Sequence, residues 1–320
     1  MNIIIIGLGS MGKRRLRLIR DIDNSIVVSG VDSNAERCES AVNEFGIKVF
    51  SGIDEAIVSE RPDAVFVCTS PLTHCNIINS LLKKDVYIFT ELNLVNDGYD
   101  KFINEEKLFL SSTFLYRDDI KWMIKKVNEK RVNYIYHTGQ YLPDWHPWED
   151  YRKYFVGNSK SNGCREIMAI EFPWLIRAFG EVVDINVMSD KMSGLEIGYN
   201  DNYMMSVLHK NGTKGLIAVD VVSRNATRKM EIYNENLHVT WDGRPDSLKD
   251  YDIQEKAFDN IKVYEEVQHR EGYSGNIIEN AYRAEIEAFF DYISGNREAS
   301  LYDFKKDQKI LELIDRIEGV

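Results

Sequence analysis

Cysteine is scarce in this 320-residue chain: Cys38, Cys68, Cys75 and Cys164 are the only four, and no two form a C-x-x-C pair. That excludes a disulfide framework and fits thiols held in a reducing compartment. Long apolar runs are also missing; none approaches the 18 or so residues of a membrane span. The opening Met1-Asn2-Ile3-Ile4-Ile5-Ile6-Gly7 has no basic segment, and its apolar stretch is too short for a signal peptide. A cytoplasmic location is therefore expected. Basic charge is in deficit, with 40 Lys and Arg against 51 Asp and Glu, a net of −11. A phosphate footprint needs clustered cations, so nucleic-acid and anionic-membrane partners are not expected. The six histidines (74, 137, 146, 209, 238 and 269) show neither H-x-x-x-H nor H-E-x-x-H spacing, so no metal site is expected. Internal repeats and low-complexity segments are absent.

What is present is ordinary globular composition, 44% hydrophobic and 28% charged. The length suits roughly two domains and a core that needs neither disulfide nor metal staples. The first 115 residues alternate short β-rich runs with amphipathic stretches. Strands are predicted at Asn2–Ile6, Ile26–Val31, Lys48–Phe50, Ala64–Val67, Val86–Phe89 and Leu108–Thr113. Helices are predicted at Met11–Arg20, Asn34–Phe45, Ile53–Ser59 and Thr73–Lys83. Continuous apolar runs such as Ile3–Ile6 and Ala64–Val67 suit strands buried on both faces. The fold class is α/β, with a doubly wound parallel sheet first. After a helix at Asp119–Glu129 the pattern changes. A strand (Arg131–Tyr141), a long aromatic loop (Pro143–Ser161) and a helix (Ala169–Phe179) lead into strands at Val182–Met188, Tyr203–Lys210, Gly215–Val222, Lys229–Asn234 and Leu237–Trp241. Asn211-Gly212 signals a hairpin. This is the pattern of a second α/β domain with a large, mainly antiparallel open sheet. Helices at Asn276–Ser294, opened by a capping-box-like Asn276…Glu279, and Asp303–Ile317 close the chain. The division falls at 1–118 and 119–320.

Gly7-Leu8-Gly9-Ser10-Met11-Gly12 is a full G-x-G-x-x-G between a predicted strand and a predicted helix, the context that makes the motif informative. Gly7 permits the tight turn, Gly9 a close approach of backbone to pyrophosphate, and Gly12 close packing of helix on strand. Amides of the helix start, at Ser10 and Met11, offer partial positive charge to phosphate. Asp32 ends the second strand, 20 residues after Gly12, where a carboxylate suits the adenosine ribose. That favours NAD; Arg37, Lys13, Arg14 and Arg15 leave NADP open.

The chain resembles the Gfo/Idh/MocA oxidoreductases at Gly7–Gly12, at Cys68-Thr69-Ser70-Pro71-Leu72-Thr73-His74 and around Glu91. The resemblance implies a Rossmann domain followed by an α/β domain with a large open sheet. It also implies hydride transfer between nicotinamide and a sugar or cyclitol hydroxyl, with the site between the domains. Thr69, Ser70, Pro71 and His74 match the family's turn along the cofactor, and Glu91 the acid of its Glu-Lys-Pro motif. Here that motif reads Glu91-Leu92-Asn93, so the family's catalytic lysine is a leucine. In the second domain Glu166, Ile170 and Pro173 stand where the family has Asp, His and Asp.

A base is still needed to take a hydroxyl proton. The loop from Gly139 to Tyr154 holds the best candidates: His146, whose pKa is tunable near neutrality, then Tyr151 and Lys153. Gln140, Trp145 and Arg152 are expected on substrate, aromatics stacking on a sugar ring and the guanidinium on an anionic group. Arg117, Arg165, Glu166 and Glu171 are further substrate candidates. The loop resembles a branch associated with bacterial surface-sugar pathways. The expected activity is that of an NAD(P)-dependent oxidoreductase on a sugar or sugar nucleotide. The alternatives are a cofactor-binding pseudoenzyme or regulator and an NAD-assisted glycosidase or epimerase, both prompted by Leu92. Large apolar residues on both faces of Tyr203–Val222 predict a homodimer or homotetramer built on that sheet.

Overall fold

The computed structural model describes residues 1–269, 277–296 and 300–320. They form two compact units, Met1–Thr113 with Tyr282–Lys309 and Phe114–Ala281 with Ile310–Val320. The first begins with β1 (Asn2–Ile6), α1 (Ser10–Ile22), β2 (Val27–Val31), α2 (Ala35–Phe45), β3 (Val49–Phe50), α3 (Ile53–Glu60), β4 (Ala64–Val67), α4 (His74–Leu81), β5 (Tyr87–Thr90) and β6 (Leu108–Leu110). All six strands are parallel, in the order β3-β2-β1-β4-β5-β6. The uninterrupted apolar runs become the central strands β1 and β4, which are buried along almost their whole length. Chain order reverses between them, and in open α/β sheets the crevice at such a switch point is where ligands bind.

The second unit carries α5 (Asp118–Val127), β7 (Asn133–Gly139), α6 (Gly163–Phe179), β8 (Val182–Asp190), β9 (Asn202–His209), β10 (Lys214–Asp220), β11 (Thr227–Asn234), β12 (Leu237–Trp241), β13 (Lys249–Asp252) and β14 (Ala257–Asn260). Its sheet order is β14-β13-β12-β11-β7-β10-β9-β8, antiparallel except where β7 and β10 run together. Gly212, at φ +83, makes the β9–β10 turn. Two elements differ from the sequence reading. The β13–β14 hairpin was not legible because its residues are polar and largely exposed, so no buried face imposes a pattern. Helix α6 starts at Gly163 rather than Ala169, because the Asn162 side chain caps it by accepting from the Arg165 amide at 2.8 Å; Pro173 sits inside it.

The helices α7 (Glu279–Ile293) and α8 (Phe304–Glu318) close the chain. Asn276, the expected cap of α7, lies outside the described residues. One face of the second sheet buries Tyr134, Tyr136, Met205, Val207, Ile217 and Val219, and Trp174 of α6 meets Tyr136 edge-on at 5.6 Å. The other face leaves Ile135, Met204, Leu208 and Leu216 exposed, Leu216 to 55%. These form one patch: Leu216 pairs with Ile135, and Met204 lies between Met188 and Ala218.

In the first unit a buried charge joins the carboxyl ends of the sheet to α7. Arg15, on α1, is wholly enclosed. Its Nε donates to Glu91 Oε1 at 2.6 Å, and Nη2 to Glu91 Oε2 at 3.0 Å and Glu285 Oε2 at 2.7 Å. Glu285 also accepts from the Ser112 amide at 2.7 Å and the Thr113 hydroxyl at 3.1 Å. The guanidinium lies 4.6 Å from the Phe89 ring centroid. Beside it Phe66 stacks on Phe89 at 4.6 Å, and Phe289 of α7 meets both edge-on. Burial disfavours the charge on Arg15, but Glu91 and Glu285 more than reverse that and raise its pKa. Removing one partner of such a group strands the others without solvent. Arg15→Met is therefore expected to lower the stability of the first unfolding transition in urea by about 3–5 kcal/mol, with much of it regained in Arg15→Met/Glu285→Leu. A loss under about 1 kcal/mol, the worth of an exposed pair, would contradict the buried pairing.

Candidate functional site

The G-x-G-x-x-G turn falls at the switch point, between β1 and α1. Gly7 has φ +94, and a Cβ there would lie 2.7 Å from the Cys68 carbonyl oxygen. The turns after β1 and β4 thus touch, bringing Gly7–Gly12 beside Thr69–His74. At Gly12 a Cβ would meet the Gly7 carbonyl oxygen at 1.9 Å, so helix-on-turn packing demands glycine. Gly9 differs. Its φ is −72, and a Cβ would meet nothing nearer than Arg37 Nη1 at 3.9 Å. The described protein has room for a side chain at Gly9, so the bare backbone there keeps space for something else.

Helix α1, next to that space, has no side-chain cap and no acidic residue in its first turn. By contrast α2 is capped by Asn34 and has Glu36 in its first turn. First-turn amides have no intrahelical acceptor, and the helix dipole favours an anion. An open cradle, an uncapped helix start and a switch-point position fit a dinucleotide pyrophosphate.

Asp32 is nearly buried. Its Oδ2 accepts from the Leu8 amide at 2.8 Å and Oδ1 from the Asn34 amide at 2.9 Å, so it shapes the turn while each oxygen keeps a further lone pair. Arg37 Nη1 is 3.9 Å from Asp32 Oδ2. The other basic residues considered for a 2′-phosphate are engaged elsewhere: Lys13 with Ser40 and Glu44, both at 2.7 Å, Arg14 over the Tyr282 ring, and Arg15 with its two glutamates.

After β4, Pro71 starts a short 3₁₀ turn, and the Thr69 and Thr73 hydroxyls lie 2.8 Å apart. His74 is buried, and burial lowers its pKa, so the ring is neutral. Its Nε2 faces the Thr69 carbonyl at 3.0 Å and must carry the proton. Nδ1 is then the acceptor, 2.7 Å from the Asn93 amide. Turning that amide's NH2 toward the ring also gives a partner to the otherwise unpartnered Asn93 Nδ2. His74 thereby ties this turn to the segment after β5. Glu91 there is committed to Arg15, and the Cys68 thiol, pushed well up by burial and by Glu91, lies 3.7 Å from its Oε1.

In the second unit the loop after β7 is anchored by Tyr141 N to Ser223 O at 2.7 Å and Leu142 N to Val221 O at 3.0 Å. Trp145 Nε1 donates to the Gln140 carbonyl at 3.0 Å. The His146 ring stacks on Trp148 at 5.4 Å and on Tyr154 at 5.3 Å, and its Nδ1 faces Glu149 at 3.1 Å. Tyr151 accepts from the Glu196 amide at 3.1 Å. Arg152 is held by Asp150 at 2.8 Å and by Glu196, while Lys153 stays exposed.

The remaining candidates are interior. Arg117 grips Asp119 through Nε at 3.0 Å and Nη2 at 2.6 Å, and donates to Gly243 O at 2.8 Å. Arg165 pairs with Asp315 at 2.6 Å and with Glu318. Glu171 accepts from Tyr136 at 2.6 Å, Trp174 at 2.7 Å and Arg228 at 2.9 Å. Glu166 is different: burial pushes its carboxyl up to about 8, and its Oε2 has no partner. Two loop residues not singled out from sequence complete this region, Trp148, 67% exposed, and Tyr154. The aromatic density of the loop was the signal for both. Among the described residues no cluster of His, Cys, Asp or Glu could hold a metal ion, and no helix is long and apolar enough to cross a membrane.

Residues 1–92 match the model of the GFO_IDH_MocA family, described as an oxidoreductase family with an NAD-binding Rossmann fold. The inositol 2-dehydrogenase of Renibacterium salmoninarum is 30% identical over 99 residues, 31% of this chain and 30% of that protein. The chain thus aligns with about a third or less of the length of the curated relatives it matches. Among solved structures, UDP-N-acetylglucosamine 3-dehydrogenase from Acidithiobacillus ferrooxidans superimposes with a TM-score of 0.77 at 18% identity, over 100% of this chain and 97% of that one. An oxidoreductase from Agrobacterium radiobacter, in complex with NAD+, L-tartaric acid and magnesium, gives 0.81 at 12% identity, over 100% and 96%. At these identities the two structures establish the shared fold.

The cradle makes a prediction. Gly9→Val is expected to leave urea stability within about 0.5 kcal/mol of wild type, since nothing in the fold meets the side chain, while NADH affinity by fluorescence titration falls at least about tenfold. Equal NADH affinity would remove the pyrophosphate from this position.

Proposed function

We propose that this chain, a Gfo/Idh/MocA oxidoreductase by its NAD-binding Rossmann unit, is a dehydrogenase of a sugar, cyclitol or sugar nucleotide. The observation that carries the reading is the open approach to the Gly9 backbone beside an α1 start that has no side-chain cap. NAD, when bound, supplies the hydride acceptor. The backbone from Gly7 to Gly12 would hold its pyrophosphate, with Ser10 and Met11 at the helix start. Asp32 would take the adenosine ribose, with Arg37 alongside, and the turn of Thr69, Ser70, Pro71 and His74 would line the cofactor near Glu91.

The substrate class is supported by the relatives' names, an inositol 2-dehydrogenase and a UDP-N-acetylglucosamine 3-dehydrogenase. It is supported as well by the Trp148–His146–Tyr154 stack, whose faces suit the C–H face of a sugar ring. Gln140, Trp145, Tyr151 and Arg152 shape that loop, and Arg117, Arg165 and Glu171 are paired in the interior of the same unit. A sugar-nucleotide substrate would suit bacterial surface-polysaccharide synthesis. Incubation with NAD and either myo-inositol or UDP-N-acetylglucosamine, extended to a panel of hexoses and nucleotide sugars, is expected to produce NADH absorbance with at least one of them. NADP is expected to support less turnover, because Asp32 opposes a 2′-phosphate. Leu92 favours a second reading, a pseudoenzyme that binds NADH and turns nothing over. Tight NADH binding with silence across the panel would select it.

The exposed patch of Ile135, Met204, Leu208 and Leu216 supports a homo-oligomer formed through the open sheet face. Light scattering at micromolar concentration is expected to give at least twice the 37.1 kDa chain mass, and Leu216→Glu the single-chain mass. A monomeric wild type would refute this.

A further inference from the structure

Arg37 stands where the fold alone has no use for a cation. It lies in the first turn of α2, whose start Asn34 already caps by accepting from the Arg37 amide at 3.0 Å. A helix start carries partial positive charge, so a guanidinium there works against the dipole. The side chain gains no compensation from the protein: it is half exposed, and among the described residues it donates no hydrogen bond. Asp32 Oδ2 stands 3.9 Å from its Nη1, beyond hydrogen-bond reach. Both Asp32 oxygens take backbone amides instead, from Leu8 and Asn34. What the guanidinium does approach is the phosphate turn. A Cβ built on Gly9 would have Nη1 at 3.9 Å and Cζ at 4.0 Å as its nearest neighbours. Of the three glycines of the turn, Gly9 is the one where the fold leaves room, and Arg37 overhangs it. A pyrophosphate brings two negative charges to that place. The α1 start meets them with amides and a partial charge only, and Asp32 is a like charge beside them. The three cations that directly follow Gly12 are turned away: Lys13 to Ser40 and Glu44, Arg14 to the Tyr282 ring, and Arg15 to Glu91 and Glu285. Arg37 is the guanidinium left at the turn with its donors unspent.

We propose that Arg37 is a phosphate ligand of the cofactor, donating to the pyrophosphate at Gly9 and offsetting the repulsion between that group and Asp32. The inference rests on the reading above that Gly7–Gly12 holds a dinucleotide pyrophosphate. It gives Arg37 a duty other than the 2′-phosphate contact that its place after Asp32 suggests. The pyrophosphate is common to NAD and NADP, so Arg37 strengthens both and chooses between neither; that choice stays with Asp32. A planar guanidinium suits the task, because its fork offers paired donors to phosphate oxygens.

The test measures NADH and NADPH affinity by fluorescence titration at several salt concentrations for wild type, Arg37→Gln and Arg37→Lys, with stability in urea alongside. Arg37→Gln is expected to weaken NADH and NADPH by the same factor, about 10–100-fold, the worth of a charge-assisted hydrogen bond. Its affinity is also expected to fall less steeply with salt, since one charge pair is gone. Arg37→Lys keeps a point charge without the fork and is expected to recover part of the loss. Stability in urea is expected to stay at or above that of wild type, because the cation opposes the α2 dipole. A loss confined to NADPH would move Arg37 to the 2′-phosphate and overturn the proposal. A loss for NADH with an unchanged salt response would move it to the uncharged adenosine and overturn it too. So would unaltered affinity, or a loss matched by lower stability in urea. Each of these, with a wild type that binds NADH, overturns this inference alone. A wild type that binds neither dinucleotide overturns the cofactor reading and this inference with it.

Discussion

One buried cation organises the first unit. Arg15 lies three residues after Gly12 on α1, and its guanidinium has no water to fall back on. It must be met by Glu91 at the end of β5 and by Glu285 from α7. Glu285 in turn collects the Ser112 amide and the Thr113 hydroxyl beyond β6. The charge thus pins the helix whose start faces the cradle, the end of β5 and a segment from the end of the chain. Held from below in this way, the helix presents a start that carries no side-chain cap and no first-turn acid.

The same pairing explains an oddity of the sequence. Glu91-Leu92-Asn93 keeps only the acid of the Glu-Lys-Pro motif of the family it resembles. Glu91 has a duty independent of proton transfer, since without it the enclosed Arg15 would lose the acceptors of its Nε and one of its Nη2 hydrogen bonds. Asn93 has one as well, holding the neutral His74 that shapes the adjoining turn. The segment therefore serves the fold even without its lysine.

Much of this could be read from the chain. Ile3–Ile6 and Ala64–Val67 announced central parallel strands, and the glycine spacing placed the cradle, because both depend on residues close together in sequence. The two-faced character of Tyr203–Val222 was visible as well: Met205, Val207, Ile217 and Val219 face inward, and Met204, Leu208 and Leu216 outward. What was hidden depends on distant partners. Arg15 read only as one of the cations that leave NADP open, because Glu91 and Glu285 lie 76 and 270 residues away. Arg117, Arg165 and Glu171 looked like substrate groups because an interior ion pair and a ligand contact leave the same trace in a sequence. The state of Glu166 depends on surroundings no motif encodes, and β13–β14 on pairing without a buried face.

The central claim is that a hydride leaves a sugar carbon for the nicotinamide of an NAD whose pyrophosphate rests on the Gly7–Gly12 turn. It is tested most directly by incubating the protein with NAD and sugars or cyclitols deuterated at carbon, then examining the recovered nicotinamide by mass spectrometry. The account predicts deuterium on the reduced cofactor from one of these substrates and none with Gly9→Val. Cofactor recovered without deuterium from every substrate, from a protein that binds NADH, would contradict it.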